Sequence, residues 1–333
     1  MNHNRLSFLF AGFAILGSLN INAQEAALIA DGNSAATYSL ITERGFNYEV
    51  PDVSRSHVEH PFQHIQQEYD KELKENVFTF YSHALIDDDR GIATITDRER
   101  TEIKTDSKSP GNMVGQEGEM MRFTWKFRIP EGFKTTPKFT RLHQIKGINN
   151  AQGTAKVSSP LFTITACTMK DGSQKLQLRY FDRSTRKFHI LEEVDLNAFL
   201  GTWVSVTETM TLGTNTGKSG SYSLDIQRIS DGKQLMAVSE DSGLDLWLTD
   251  CIGVRPKWGI YRSVGENRSL ETLLRDEVVK FADFKICKLN TSAGISTTTV
   301  NDSGHLVCDV QGIPSAANQC GIYIKDGRKY TNR

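Results

Sequence analysis

The chain has 333 residues, and its 39 Lys and Arg against 40 Asp and Glu leave a formal charge of −1. So even a balance argues against bulk nucleic-acid binding and against a polybasic membrane anchor. With 38% hydrophobic and 24% charged residues, a large core can form and wholesale disorder is excluded.

Residues 1–23 read as a secretory signal peptide: Arg5, the apolar run Leu6 to Leu16, then Ile21-Asn22-Ala23 with cleavage after Ala23. The run is shorter than the ~20 residues a spanning helix needs, and no later segment qualifies, so no membrane span is expected. The expected location is secreted, periplasmic or at a bacterial cell surface. Charge then divides unevenly. Residues 1–97 hold 6 basic and 14 acidic side chains, a balance of −8, whereas residues 98–147 hold 11 and 6, a balance of +5. A basic stretch in a neutral protein either attracts an anionic ligand or is a solvated strand surface.

In chain order, Gln63 to Leu73 is predicted as a short helix. Phe80 to Arg90 follows, carrying His83 and the acidic run Asp87-Asp88-Asp89, which forms a charged turn or holds calcium. Arg98 to Lys104 reads as a strand with Arg98, Arg100, Glu102 and Lys104 on one face and Thr101 and Ile103 on the other. Met121 to Ile129 alternates strictly, with apolar residues at every odd position, and Pro130-Glu131-Gly132 ends it. In Leu142 to Gly147, Gln144 and Lys146 share a face while His143 points with Ile145. Further strands are predicted at Leu176–Tyr180, Trp203–Val206 and Tyr222–Ile226. In Lys257-Trp258-Gly259-Ile260-Tyr261, Lys257, Gly259 and Tyr261 share a face, and the glycine is expected to let a ligand approach the backbone. Ser269 to Leu274 is the other short helical candidate. Strands separated by Gly, Asn, Asp and Ser clusters imply an all-β sandwich over residues 24–290.

A small, polar linker follows from Asn290, and residues 291–333 are set apart as a tail. Gly321 to Tyr330 reads as a hairpin with an Asp-Gly turn. The five cysteines, at 167, 251, 287, 308 and 320, are too few for a disulfide scaffold, and buried free thiols are expected. No H-E-x-x-H and no paired C-x-x-C occurs, so no metal is assigned beyond a calcium candidate at Asp283 in Phe281 to Lys285. Gly213 to Ser219 resembles a phosphate loop but has three residues between its glycines, where that loop needs four, and is read as a hairpin loop. No G-x-S-x-G elbow is present.

Taken together, the Arg98 to Lys104, Gln144-Ile145-Lys146 and Lys257 to Tyr261 segments resemble polysaccharide lyases of the β-jelly-roll type, over roughly residues 60–290. Alginate lyases carry an R-[ST]-E-[LI] strand, a Q-I-H strand and a late Tyr strand; heparin lyase I-like enzymes carry K-F-G-I-Y. The sequence is most similar to the glucuronan lyase family, in which a His segment with an acidic run precedes R-x-E-I-K and Q-[IL]-K strands. Lys146 stands where the alginate and heparin enzymes have His, which points to the glucuronan type. The tail is similar to C-terminal sorting segments of exported Bacteroidetes proteins, with Ile313 where Arg is usual; an extra hairpin of the main domain is the other reading.

The resemblance implies a concanavalin-A-like β-jelly-roll sandwich that cleaves a uronate-containing polysaccharide, glucuronan-like, by β-elimination. It implies Gln144 as the amide that neutralises the uronate carboxylate, Tyr261 as the proton-transferring phenol and His83 as the catalytic His. Arg100, Glu102, Lys146 and Lys257 would bind or orient the substrate. No cofactor is required, a structural calcium aside, and the partner is an anionic uronate polysaccharide. Two other classes stand beside this: a non-catalytic carbohydrate-binding module on the same fold, and a glycoside hydrolase, which needs two carboxylates roughly 5–10 Å apart.

Overall fold

A computed structural model describes residues 24–53, 57, 60–213 and 219–289, together with the backbone of three short strands between residues 307 and 332. The expected leader, the phosphate-loop decoy at 214–218 and the linker from residue 290 lie outside the described residues.

Strands form where polar and apolar residues alternate. In chain order they are β1 (Gln24–Leu28), β2 (Asn47–Glu49), β3 (Ile65–Asp70), β4 (Glu75–Ser82), β5 (Arg98–Lys104), β6 (Met120–Arg128), β7 (Thr140–Ile148) and β8 (Phe162–Thr168). They continue as β9 (Gln174–Asp182), β10 (Lys187–Asp195), β11 (Trp203–Thr211), β12 (Gly220–Arg228), β13 (Gln234–Leu244), β14 (Gly253–Ser263) and β15 (Glu277–Leu289). One sheet has the order β13-β12-β11-β6-β15-β4-β3, with β1 also paired to β15; the other has the order β10-β9-β8-β7-β14-β5-β2. Two antiparallel sheets with these crossovers make a β-jelly-roll sandwich; the strand patterns implied the sandwich and the family resemblance the jelly roll.

The core lies between the sheets. Met121, Phe123, Trp125 and Phe127 of β6 are buried, while Arg122, Thr124, Lys126 and Arg128 alternate outward. Trp258 of β14 meets Trp125 edge-on at 5.7 Å between centroids and Phe284 of β15 at 5.1 Å, joining the two sheets. Each fully buried Phe here contributes about 1.5–3 kcal/mol. A polar clamp also crosses the core: Glu208 of β11 is bound by His143 Nε2 of β7 at 2.9 Å and by the Tyr222 hydroxyl of β12 at 2.7 Å.

Two helical expectations are corrected. Gln63 to Leu73 contains β3, paired antiparallel with β4. Its buried positions include Gln67 and Asp70, so the apolar residues alone hid the strand period. Gln67 faces inward because its carbonyl accepts the Asp31 and Gly32 N–H groups at 2.7 and 2.9 Å. Ser269 to Leu274 holds only a 3-10 turn, Glu271–Leu273. An α-helix not predicted from sequence, α1 (Thr37–Glu43), buries Leu40 and Ile41.

The chain divides into two units, the sandwich up to Leu289 and a second unit from Asn290. In the second, β16 (Val307–Asp309), β17 (Gly321–Lys325) and β18 (Arg328–Asn332) form an antiparallel sheet in that order. Lys325 pairs with Arg328 across the β17–β18 hairpin, and its Asp-Gly turn lies outside the described residues.

Candidate functional site

Antiparallel register brings the three polar motifs side by side. Across β14 and β7, Lys257 pairs with Gln144; across β14 and β5, Tyr261 pairs with Arg100 and Gly259 with Glu102. Trp258, Ile103 and Ile145 enter the core, so their neighbours in each strand face outward. The outward side chains form one connected cluster. Gln144 Nε2 donates to Glu102 Oε1 at 2.5 Å. Lys257 Nζ bridges Glu102 and Glu49, each at 2.5 Å. Arg100 donates to Glu102 at 2.9 Å, to Glu49 at 3.1 Å and to both oxygens of Asp89. The Tyr261 hydroxyl accepts from Arg98 Nη1 at 2.7 Å, and its ring lies under the Arg100 guanidinium, 3.8 Å from carbon to centroid.

Electrostatics follow from this packing. Burial alone would raise the Glu102 carboxyl, but Lys257 and Arg100 more than offset it and hold it below the usual range. Burial pulls the Lys257 ammonium down to about 8 against the attraction of Glu102 and Glu49, so it remains a cation at neutral pH. Lys146 is pulled further, to about 7, by burial and then by repulsion from Lys257, Arg100 and Arg255. It donates only to the Ser158 carbonyl, at 2.9 Å.

Charge on this face is left over. Among the described residues, Arg141, Lys146, Arg179 and Arg255 form no salt bridge with a carboxylate. Arg141 lies 5.3 Å from the Tyr261 ring centroid and reaches the Gln144 carbonyl oxygen at 3.4 Å. Burial lowers both the Arg141 and Arg255 guanidinium groups from their ordinary value, Arg141 to about 10. A cleft of 1090 Å³ opens beside Lys146 and Arg255, with Arg183 and Arg186 on its walls.

The structure joins Gln144, Tyr261, Arg100, Glu102 and Lys257 and sets Lys146 on the wall of the cleft, while His83 has other bonding partners. The His83 ring bonds to His64 and Asp87 and to neither Gln144 nor Tyr261. Glu102 and Lys257 are 1% and 2% exposed and hold each other, and Glu102 also accepts from Gln144. Gly259 does not clear space for a ligand. A Cβ there would lie 2.0 Å from the Thr101 carbonyl oxygen of β5, and its φ is +143°, so the glycine answers to the neighbouring strand.

Asp283 does not fit a calcium site. Its carboxylate is paired with the Lys126 ammonium, and its φ of 53° marks the bulge where β15 slips against β6. The acidic run is a turn whose members are separately engaged: Asp87 with histidines, Asp88 with the Gly91 N–H, and Asp89 with Arg90 and Arg100. Glu49, Arg98 and Arg141 were not singled out from sequence as site residues. Glu49 sits on a three-residue strand with no local pattern; Arg98 already stood on the charged face of its strand. Cys167, Cys251 and Cys287 are free thiols.

Among solved structures, the chain is similar to a PL-14 alginate lyase from Aplysia kurodai, at 12% identity and a TM-score of 0.51 over 79% of this chain and 97% of that one. The fold is the one that enzyme has. More distant are an endo-β-1,4-glucuronan lyase from Trichoderma reesei (13% identity, TM-score 0.43, 72% and 93% covered) and an alginate lyase from a Chlorella virus (12%, 0.40, 75% and 96%). No family model and no curated protein matches the chain. At such identity the likeness concerns the fold, and the chemistry rests on the side chains described above. No helix among the described residues is long and apolar enough to cross a membrane.

Proposed function

We propose that the outer face of the β7–β14–β5 sheet is the active site of a polysaccharide lyase acting on a uronate polymer of the glucuronan type. The observation that carries this is the set of cations without carboxylate partners, Arg141, Lys146, Arg179 and Arg255, around a buried amide and phenol. A partly buried charge is costly unless something pairs it, and a chain of uronate carboxylates supplies the partners.

β-Elimination removes the C5 proton of the uronate, forms the C4–C5 double bond from that electron pair, and breaks the C4–O bond, whose oxygen takes a proton. The C5 proton is a poor acid because the neighbouring carboxylate is negative. Gln144, with one N–H engaged by Glu102, is oriented to offer its second to that carboxylate, and Arg141 beside it adds positive charge. Tyr261 carries the proton: Arg98 donates to its oxygen and Arg100 packs over its ring, which together fix the phenol in place. Lys146 and Arg255 bind carboxylates along the cleft. Glu49, Glu102 and Lys257 hold the geometry. Because Glu49 and Glu102 are locked by Lys257 and Asp89 by Arg90 and Arg100, a hydrolytic pair is disfavoured. Residues 1–23 and the tail of residues 291–333 would serve export and sorting.

The test is ultraviolet absorbance of the new conjugated double bond during incubation with glucuronan, alginate, heparan and pectic polymers, against a neutral glucan. A rise with a uronate polymer alone is expected. Gln144 and Tyr261 are 1% and 3% exposed, which favours one other reading, a binding module in which both are packing residues. Polymer retained in a pull-down with no absorbance change would select it.

A further inference from the structure

Three histidines and an aspartate that the proposed reaction leaves unused meet where the segment before β3 runs against the turn after β4. Nε2 of His57, Nε2 of His64, Nδ1 of His83 and Oδ1 of Asp87 all lie within 4.8 Å of one another. Asp87 Oδ1 is 2.7 Å from His57, 3.0 Å from His64 and 3.4 Å from His83, and His64 Nε2 is 3.1 Å from His83 Nδ1. Ligand atoms bound tetrahedrally at about 2.0–2.1 Å from one zinc ion stand roughly 3.3 Å apart, close to three of these four contacts, which measure 3.0, 3.1 and 3.4 Å.

The surroundings orient each ligand toward the shared centre. Asp52 Oδ1 lies 2.7 Å from His64 Nδ1, which sets the proton there and leaves the Nε2 lone pair for a metal. The His83 backbone N–H donates to Asp87 Oδ2 at 2.6 Å, leaving Oδ1 for the same centre. Phe62 packs edge-on against His64 and His83, at 5.0 and 4.7 Å, and excludes water from one side. A cation at the centre would satisfy the four facing lone pairs at once.

We propose that His57, His64, His83 and Asp87 bind a divalent transition-metal ion of the zinc class. Three imidazoles and one carboxylate suit zinc better than calcium or magnesium, which take oxygen ligands. All four ligands come from the protein, so the site is closed and structural. It anchors the turn that clamps the catalytic face: the Asp88 carbonyl accepts the Arg100 N–H at 3.1 Å, and Asp89 holds the Arg100 guanidinium.

The test uses the full chain, purified without a histidine tag. Its zinc content is measured by mass spectrometry, the stripped protein is titrated with ZnCl2 alone and with CoCl2 alone, and melting is followed. About one zinc per chain, a rise in melting temperature of roughly 5 °C or more on adding zinc, and the visible absorption of tetrahedral Co(II) are expected. His83→Ala with Asp87→Asn should lose the metal and the cobalt bands, while His189→Ala, at an exposed histidine, should keep both. Wild-type protein without stoichiometric zinc, and with neither a cobalt spectrum nor a zinc-dependent melting shift, would overturn the proposal and make this a hydrogen-bonded histidine cluster. So would full metal binding by the double variant.

Discussion

His143 and Gln144 are neighbours on β7, both nearly fully buried, and they belong to two different kinds of polar region. His143 turns inward to Glu208, which Tyr222 also binds, and the three side chains tie one sheet to the other. Gln144 turns outward into a cluster whose carboxylates are used up by Lys257, Arg100 and Lys104, with Arg141, Lys146, Arg179 and Arg255 still without a carboxylate partner. Both regions contain a Tyr, a Glu and a nitrogen-bearing side chain of the kinds that enzymes use. Burial of such groups therefore does not mark a site; the outer face is the one proposed because it carries cations without carboxylate partners, two of which, Lys146 and Arg255, line a cleft. The inner clamp fastens two sheets.

Matched phenol-to-phenyl changes probe that contrast most sharply. Tyr261→Phe should lower turnover on a uronate polymer about 10²–10⁴-fold, the usual worth of a positioned proton carrier, with melting nearly unchanged. Tyr222→Phe should do the reverse, leaving turnover intact and costing about 1–3 kcal/mol in urea unfolding because Glu208 loses a donor inside the core. Equal turnover in the two variants would erase the distinction between the regions.

Next in size is Gln144→Ala, expected to reduce turnover roughly 10²–10³-fold through loss of carboxylate neutralisation; an effect confined to KM would recast Gln144 as a binding group. Glu102→Ala leaves Lys257 without one of its two partners in a buried place and should cost about 3–5 kcal/mol of stability. The pH dependence has a definite sign here. Glu102 and Glu49 titrate below the ordinary carboxyl range when folded, so their contribution is fully present above about pH 4.3 and is lost as pH falls through their lowered values. Urea midpoints should thus be level on this account from neutral pH down to mildly acidic pH and drop below it. Glu102→Ala should flatten that drop.

The smallest effect concerns Lys146. Its ammonium titrates at about 7, charged below and neutral above. In a binding role, KM for the polymer rises several-fold as pH climbs through 7, and Lys146→Arg removes the dependence because a guanidinium stays charged. A turnover number that climbs with pH in the wild type and not in Lys146→Arg would instead make the neutral amine a base.

Much of this architecture was legible in the sequence. Strict alternation in Met121 to Ile129 announces a half-buried strand, and the same alternation correctly assigned Arg100 and Glu102 to one face and His143 to the core. What escaped prediction depends on pairing across the sheet. Glu49 neutralises Lys257 from 208 residues away, and nothing near it signals that. β3 read as a helix because Gln67, which faces inward with Ile65, is polar, and because Asp70 is buried on the other face against Lys280. His83 bonds to His64 and lies near His57, and the spacing of these three histidines along the chain does not announce that they meet.

The central claim is that the outer face of the β7–β14–β5 sheet performs elimination. Mass spectrometry of oligouronide products formed in heavy-oxygen water tests it most directly. The account predicts shortened chains whose new non-reducing ends lack one water relative to a hydrolysis product, with no heavy oxygen incorporated at the cut, and their disappearance in Tyr261→Phe. Products that carry heavy oxygen and retain saturated ends would show hydrolysis and contradict it.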